Sequence, residues 1–401
     1  MKALLYRRSI PRYLLSAFFS KLQRRRFHHL VTPLSLAEVP FAPARPGWAT
    51  VRVSLCGICG SDLNLLKGAE SMLLEPYASL PMVLGHEIVG VLENAPEGSG
   101  LAPGQRVVIE PVLDCAVREL PPCRFCARGD YNLCENFLDG ALPPGSTLGF
   151  NAAASGGMAE RTAAHPSKIL PVPDCLSDDE AVLVDSMASV AQPVLENFPE
   201  PGETVLVWGA GVLGQHAVRC LRALGFEGRI VAIARHGFQA ELAKEGGADT
   251  VLRSASRQEL AKALGARFVP TTMGGGNIEG GADVIFDCVA SARTVQDGLL
   301  ALRARGRYVM VGTAGALSGV DVSSLWFRQL KVTGTMAYST ALWNGERVRT
   351  YQVCLDLLAS GGYPTRGLLT GLFRLEDWKQ AFQSSFDKKG SGSMKAAFDL
   401  R

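Results

Sequence analysis

Cys115, Cys123, Cys126 and Cys134 fall within 20 residues of a loop dense in Pro, Arg, Asp and Asn. Four thiolates can close a tetrahedral zinc site with no open position, the arrangement of a structural rather than a reactive centre. The chain has ten cysteines but is not a small secreted scaffold, so in a reducing compartment their spacing points to metal rather than to disulfides. A second grouping is Gly209-Ala210-Gly211-Val212-Leu213-Gly214, directly after the apolar run Thr204–Trp208 and directly before a helical pattern. In that context the glycines allow a tight turn, close backbone approach to a pyrophosphate and close helix–strand packing. The helix N-terminus adds free N–H groups and partial positive charge, so Gly209 to Gly214 is read as a dinucleotide site.

The next strand tells one dinucleotide from the other. It ends at Ala234, followed by Arg235 and His236. No carboxylate is there to accept from a ribose 2′-hydroxyl, and Arg235 suits a 2′-phosphate, so NADP is favoured over NAD.

These motifs need elements to hold them. At 401 residues the chain is long enough for about two or three domains. Its 47% hydrophobic and 20% charged content is that of a chain with a real core, which excludes general disorder. Up to about residue 175 short β-like runs alternate with Gly and Pro: VRVSLC, MVLGHEIVGVLE, QRVVIEPV, SKILPVP. From about 200 to 335 apolar strands alternate with helical patterns (helices near 212–224 and 237–246), which predicts a parallel sheet covered on both faces. The tail carries a helix near 345–360 and a closing strand, KAAFDLR.

The stretches GICGSD (57–62), GHEIVG (85–90), the four-cysteine lobe, GAGVLG and KAAFDL together resemble the medium-chain, zinc-dependent alcohol and polyol dehydrogenases over nearly the whole length. The resemblance implies an α/β chain in which a GroES-like β-rich catalytic domain (1–186 and 336–401) accompanies a Rossmann cofactor domain (187–335), with the active site in the cleft between them. It also implies hydride transfer between an alcohol or polyol, or its carbonyl form, and NADP or NAD. Cys59 and His86 match two ligands of the catalytic zinc, and Asp185 in LVDSMAS is the candidate for the third. One thiolate, one imidazole and one carboxylate would neutralise Zn²⁺ and leave a fourth position for substrate. By the same likeness Glu87 is an alternating fourth ligand or a nearby base, with a buried ion pair as its plainer reading. Asp62 would orient the His86 ring, and Ser61 would take the substrate's proton. Many relatives have a histidine three residues after that hydroxyl; here it is Asn64, which cannot titrate. Relatives also space the first two lobe cysteines closely, whereas seven residues separate Cys115 from Cys123, which makes Cys115 the outlying ligand of the structural zinc. Cys56 forms a CxxC pair with Cys59, but the flanking motifs fit metal better than redox chemistry.

Two other classes compete with this reading. One is a zinc-free NADPH-dependent quinone or enone reductase of the same fold, which would have no use for Cys59, His86 and Asp185 together. The other is a non-enzymatic, zinc-stabilised NADPH sensor that docks partners.

Charge is uneven. Residues 1–37 hold eight cations (Lys2, Arg7, Arg8, Arg12, Lys21, Arg24, Arg25, Arg26) and no acid, against 33 basic and 38 acidic side chains in the rest. A basic arm on a mildly acidic body argues against a general nucleic-acid binder. Strand-like MKALLY and VTPLSLAEV flank the arm, so residues 9–29 read as an insertion rather than a targeting segment; Leu14–Phe19 is too short for a signal-peptide core. Ser9 and Pro11 suit a helix start, and Leu14, Leu15, Phe18, Phe19 and Leu22 recur on one face. Such a helix could lie on a membrane surface through residues 11–26, or meet an acidic partner. The stripe is short, so packing on its own domain or on a sister subunit is the preferred reading. No run approaches the ~20 apolar residues of a spanning helix; a soluble, cytoplasmic homodimer or homotetramer is expected.

Overall fold

The computed structural model describes residues 1–253, 256–313 and 315–401. They form two compact units. The first comprises Met1–Asp185, Tyr351–Ala359 and Thr365–Arg401, and the second Ser186–Thr350 and Ser360–Pro364. Residues 336–350, expected with the closing segment, group with the second unit. There Gln192 donates to the Thr340 carbonyl (3.0 Å) and accepts from the Ser339 amide (3.1 Å).

The first unit is built on a seven-stranded sheet. Its order is Leu369–Phe373, Lys395–Asp399, Ala49–Gly57, Glu87–Asn94, Arg106–Ile109 and Ile169–Pro171, with Arg161–Ala164 also paired to Ala49–Gly57. The central strand Ala49–Gly57 is buried at every position but Arg52, as its near-continuous apolar run requires. Register sets the chemistry. Gly57 pairs antiparallel with Glu87, and Ala397 of the closing strand pairs with Gly57. Cys59 lies two residues beyond Gly57, His86 one before Glu87 and Lys395 two before Ala397, so all three gather at one end of the sheet.

A smaller sheet pairs Lys2–Tyr6 antiparallel with both Leu34–Glu38 and Met82–Val83, and the chain between the first two strands is the insertion. Its helix spans Ile10–Leu22, with Ser9 at the N-cap but making no side-chain cap bond. This helix departs from the expected packing. It buries Ser16, which is hydrogen-bonded to Thr32 at 3.3 Å, half-buries Phe19 against the His28 ring, and leaves Leu14, Leu15, Phe18 and Leu22 exposed. What holds the segment is Phe27 beyond the helix, buried among Trp378, Phe382 and Phe386 at ring distances of 5.3–5.9 Å.

The second unit carries a six-stranded, all-parallel sheet in the order Thr250–Leu252, Arg229–Ile233, Thr204–Trp208, Ala282–Asp287, Leu302–Met310, Lys331–Gly334. Thr204–Trp208 therefore lies between the strand that follows it and a strand about 80 residues on. That is the switch point at which doubly wound sheets bind ligands, beyond the carboxyl ends of the strands. The expected helices appear as Val212–Ala223 and Gly237–Glu245.

Candidate active site and metal lobe

Cys59 caps the helix Gly60–Lys67, whose first turn carries Ser61 and Asp62. Donor atoms of Cys59, His86 and Glu87 lie within 4.8 Å of one another. Gly57 makes this possible, because a Cβ there would sit 2.0 Å from Glu87 Oε2. Among the buried polar atoms left without a hydrogen-bond partner are Ser61 Oγ, Asp62 Oδ1 and His86 Nδ1. A thiol, an imidazole and a carboxylate converging in a buried place fit a divalent cation of zinc's preferences.

Of the two carboxylates expected near the metal, Glu87 lies with Cys59 and His86 and Asp185 stands outside that cluster. Asp185, in the first turn of the helix Val184–Glu196, is buried, and its charge acts on His86, Cys56 and Lys395. Its carboxylate is not, however, among the atoms that lie within 4.8 Å of one another; Glu87 takes that place. Glu87 also meets its plainer expectation, since its carboxylate forms an ion pair with buried Lys395. Burial works against the Lys395 ammonium, but Glu87 and Cys59 more than offset it and its pKa is raised.

Asp62 does not take the His86 N–H. As N3 of the helix it accepts from the Cys59 backbone amide at 2.9 Å through Oδ2, and Oδ1 and His86 Nδ1 each stay without a hydrogen-bond partner. Burial raises its pKa to about 6. His86 is also desolvated, yet the adjoining Cys59 and the carboxylates of Asp62 and Asp185 raise its pKa well above the ordinary value. A cation binding there would displace that proton. Cys56 is fully buried and its pKa is driven up by desolvation, which leaves it an inert thiol rather than half of a redox pair.

The four lobe cysteines do converge, all four sulfurs lying within 4.8 Å of one another, Cys115 included. Backbone amides point at the sulfurs: Cys123 N to Cys115 Sγ (3.3 Å), Cys126 N to Cys123 Sγ (3.5 Å) and Asn136 N to Cys134 Sγ (3.4 Å). Burial opposes ionisation of Cys123, but N–H donors from Cys126 and Glu135 bring its pKa down to about 6. Burial pushes Cys126 up, and Cys134 to about 12, so four thiolates coexist only around a cation. Sequence reading missed the support beneath. Arg118, fully buried, donates to the carbonyls of Leu113 (2.9 Å), Asp139 (2.7 Å), Pro143 (3.1 Å) and Gly145. Lys168 pairs with Asp114 at 2.5 Å, both buried.

In the second unit Gly209 adopts φ +93°, and a Cβ on Gly214 would lie 2.0 Å from the Gly209 carbonyl. Gly211 is the N-cap of the helix that begins with Val212 and Leu213. The strand before Arg235 ends at Ile233, and Arg235 is exposed beyond it. Arg253, just past the neighbouring strand, is a second cation there; its Nη1 is 3.2 Å from where a Cβ on Gly237 would be. It was legible as an arginine directly after TVL.

Against known proteins, residues 45–174 match the alcohol dehydrogenase GroES-like domain and residues 212–360 the zinc-binding dehydrogenase domain. The chain is 29% identical over 355 residues to L-idonate 5-dehydrogenase of Vitis vinifera, covering 87% of each. It is 27% identical to sorbitol dehydrogenase of Arabidopsis thaliana over 365 residues, 87% of this chain and 88% of that one. Among solved structures, 2R,3R-butanediol dehydrogenase from Bacillus subtilis superposes with a TM-score of 0.74 at 21% identity, over 99% of both chains. No helix among the described residues is long and apolar enough to cross a membrane.

Proposed function

Because the chain belongs to the zinc-dependent medium-chain dehydrogenase/reductase family, and is thereby an NAD(P)-dependent alcohol dehydrogenase, we propose that its substrate is a polyol or the matching ketose. The reaction centre would be Cys59, His86 and Glu87, with Asp185 close by. The observation that carries the centre is the convergence of those three donor atoms, on half-buried Cys59 and buried His86 and Glu87. The names of the idonate and sorbitol dehydrogenases support the substrate class.

Zinc held by Cys59, His86 and Glu87 would supply polarisation of the substrate's oxygen, and a nicotinamide dinucleotide held at Gly209–Gly214 would supply the hydride chemistry. The chain's own residues do the rest. Ser61 Oγ, buried and unpartnered beside the donors, holds the hydroxyl proton and passes it on. Asn64 cannot titrate, so the proton leaves through water. Lys395 holds the Glu87 carboxylate and balances its charge. Gly209, Gly211, Val212, Leu213 and Gly214 cradle the pyrophosphate on a helix N-terminus. Arg235, with Arg253 beside it, favours the 2′-phosphate of NADP. The paired and spaced cysteines, which suit metal, fit a reducing cytoplasm, and a homodimer or homotetramer is the assembly we infer.

The test is zinc determination on the purified chain followed by turnover of sugar alcohols and simple alcohols with NADP and NAD. Two zinc ions per chain and faster polyol oxidation with NADP are expected. Turnover of simple alcohols alone would overturn the substrate class. Loss of the only bound zinc on lobe mutation would overturn the centre.

A further inference from the structure

The insertion helix is inside out. Ile10, Leu14, Phe18 and Leu22 recur every four residues and are 58–65% exposed, with Leu15 beside them at 45%. The side the helix turns to the protein carries Ser16, 1% exposed, with Tyr13, Ala17 and Phe19 only half-buried, Phe19 against the His28 ring. Leaving apolar surface in water forgoes roughly 25 cal/mol per Å² of burial, and Ile10, Leu14, Phe18 and Leu22 have no part in the core, so a contact from outside that covers them is favoured. The position is not slack. Phe27 is buried against three aromatic rings, Gln383 accepts from the Phe27 amide (2.9 Å), and Gln383 donates to the Arg25 carbonyl (2.9 Å).

Charge says what the cover is. Of the eight cations in residues 1–37, Lys2 is paired with Glu376 (2.6 Å), and the other seven make no ion pair among the described residues. Arg7, Arg8 and Arg12 stand at the start of the helix, and Lys21 and Arg24–Arg26 at its end. Lys21, Arg24, Arg25 and Arg26 line an open depression of about 670 Å³ together with Gln383. A twofold contact between copies through this helix would set these unpaired cations against one another. An anionic surface that also accepts apolar side chains satisfies both features.

We propose that this helix docks the enzyme on an anionic lipid bilayer, lying in the interface with Leu14, Phe18 and Leu22 in the acyl boundary and Arg24–Arg26 among phosphate headgroups. The test is flotation of the full chain with phosphatidylcholine vesicles, with and without phosphatidylglycerol. The chain should float with the anionic vesicles, at least ~10-fold more than with the neutral ones, and added salt should release it. Arg24→Ala/Arg25→Ala/Arg26→Ala should weaken partitioning ~100-fold, at about 1 kcal/mol per cation. Leu14→Glu/Phe18→Glu should abolish it, with zinc content and circular dichroism unchanged. Equal flotation with both vesicle types, none with either, or insensitivity to salt in the unmutated chain would overturn the proposal. So would a dimer that Phe18→Glu dissociates in a chain that does not float.

Discussion

The two candidate metal clusters are built from different materials. Around the lobe's sulfurs the nearest neighbours are dipoles, with backbone amides aimed at three of them and carbonyls gathered by Arg118, and a buried ion pair, Lys168–Asp114, lies beneath in the support. Around Cys59, His86 and Glu87 the neighbours are charges, Asp62, Asp185 and Lys395 buried and Lys388 half-buried. Dipoles fixed by the backbone cost little once the loop is folded, and four thiolates close a cation's coordination completely. Buried charges are expensive to hold, and removing one strands its partner. The first arrangement suits a part that must only persist. The second is tolerated where an oxygen has to be polarised and a proton moved.

Cutting into each cluster should therefore break different things. Cys59→Ala removes the thiolate from the reaction centre; turnover should fall by ~10³-fold or more, several kcal/mol of lost polarisation. One zinc per chain and dinucleotide binding should remain. Steady-state kinetics, zinc determination and fluorescence titration with NADPH check the three parts, and retained turnover would remove the distinction between the clusters. Cys126→Ser, by contrast, opens a closed site. It should lower stability by about 3–5 kcal/mol, the scale of losing a structural metal or disulfide. Turnover per folded molecule should stay within a few-fold of the parent. Denaturant unfolding followed beside activity separates the two, and a Cys126→Ser chain that is inactive though folded would mean that the lobe takes part in the reaction.

How much of this could be read from residues alone depended on how local the cause was. The lobe was legible because its ligands sit within 20 residues, and the dinucleotide turn because strand, glycines and helix are contiguous. The alternating sheet of the second unit followed from apolar runs at regular spacing, and its strands appear where those runs are. Lys395 was not legible as the partner of Glu87, because antiparallel register, not sequence, brings residues 308 apart to one sheet end. Asp185 was chosen by its place in a motif, whereas convergence around Cys59 selects Glu87, which leans over a glycine. The insertion helix was recognised by its period, yet which face it buries is decided by Phe27 and by the Ser16–Thr32 bond, neither of which the period encodes.

The charged character of the reaction centre has a last and smaller consequence. Lys388 begins the short helix Lys388–Ser391, and its ammonium donates to the Met394 carbonyl at 3.4 Å. Burial lowers its pKa to about 8, with Lys395 and Lys67 adding to the effect. A lysine whose folded pKa is depressed contributes stability that is present above its unfolded value and is lost as pH falls through the folded one. The folded chain should therefore carry a penalty near neutral pH that disappears toward pH ~10.5, where the unfolded chain too gives up the proton. Lys388→Met, keeping the stem and removing the charge, should be the more stable protein near pH ~7. With part of the side chain in water the full shift is discounted, leaving a gain of about 1–2 kcal/mol. Urea midpoints at the two pH values measure it: a gain near neutrality that vanishes in base is expected. An equal gain at both would mean that packing, not charge, sets the cost of this lysine, and the centre would then be less electrostatically loaded than its contrast with the lobe implies.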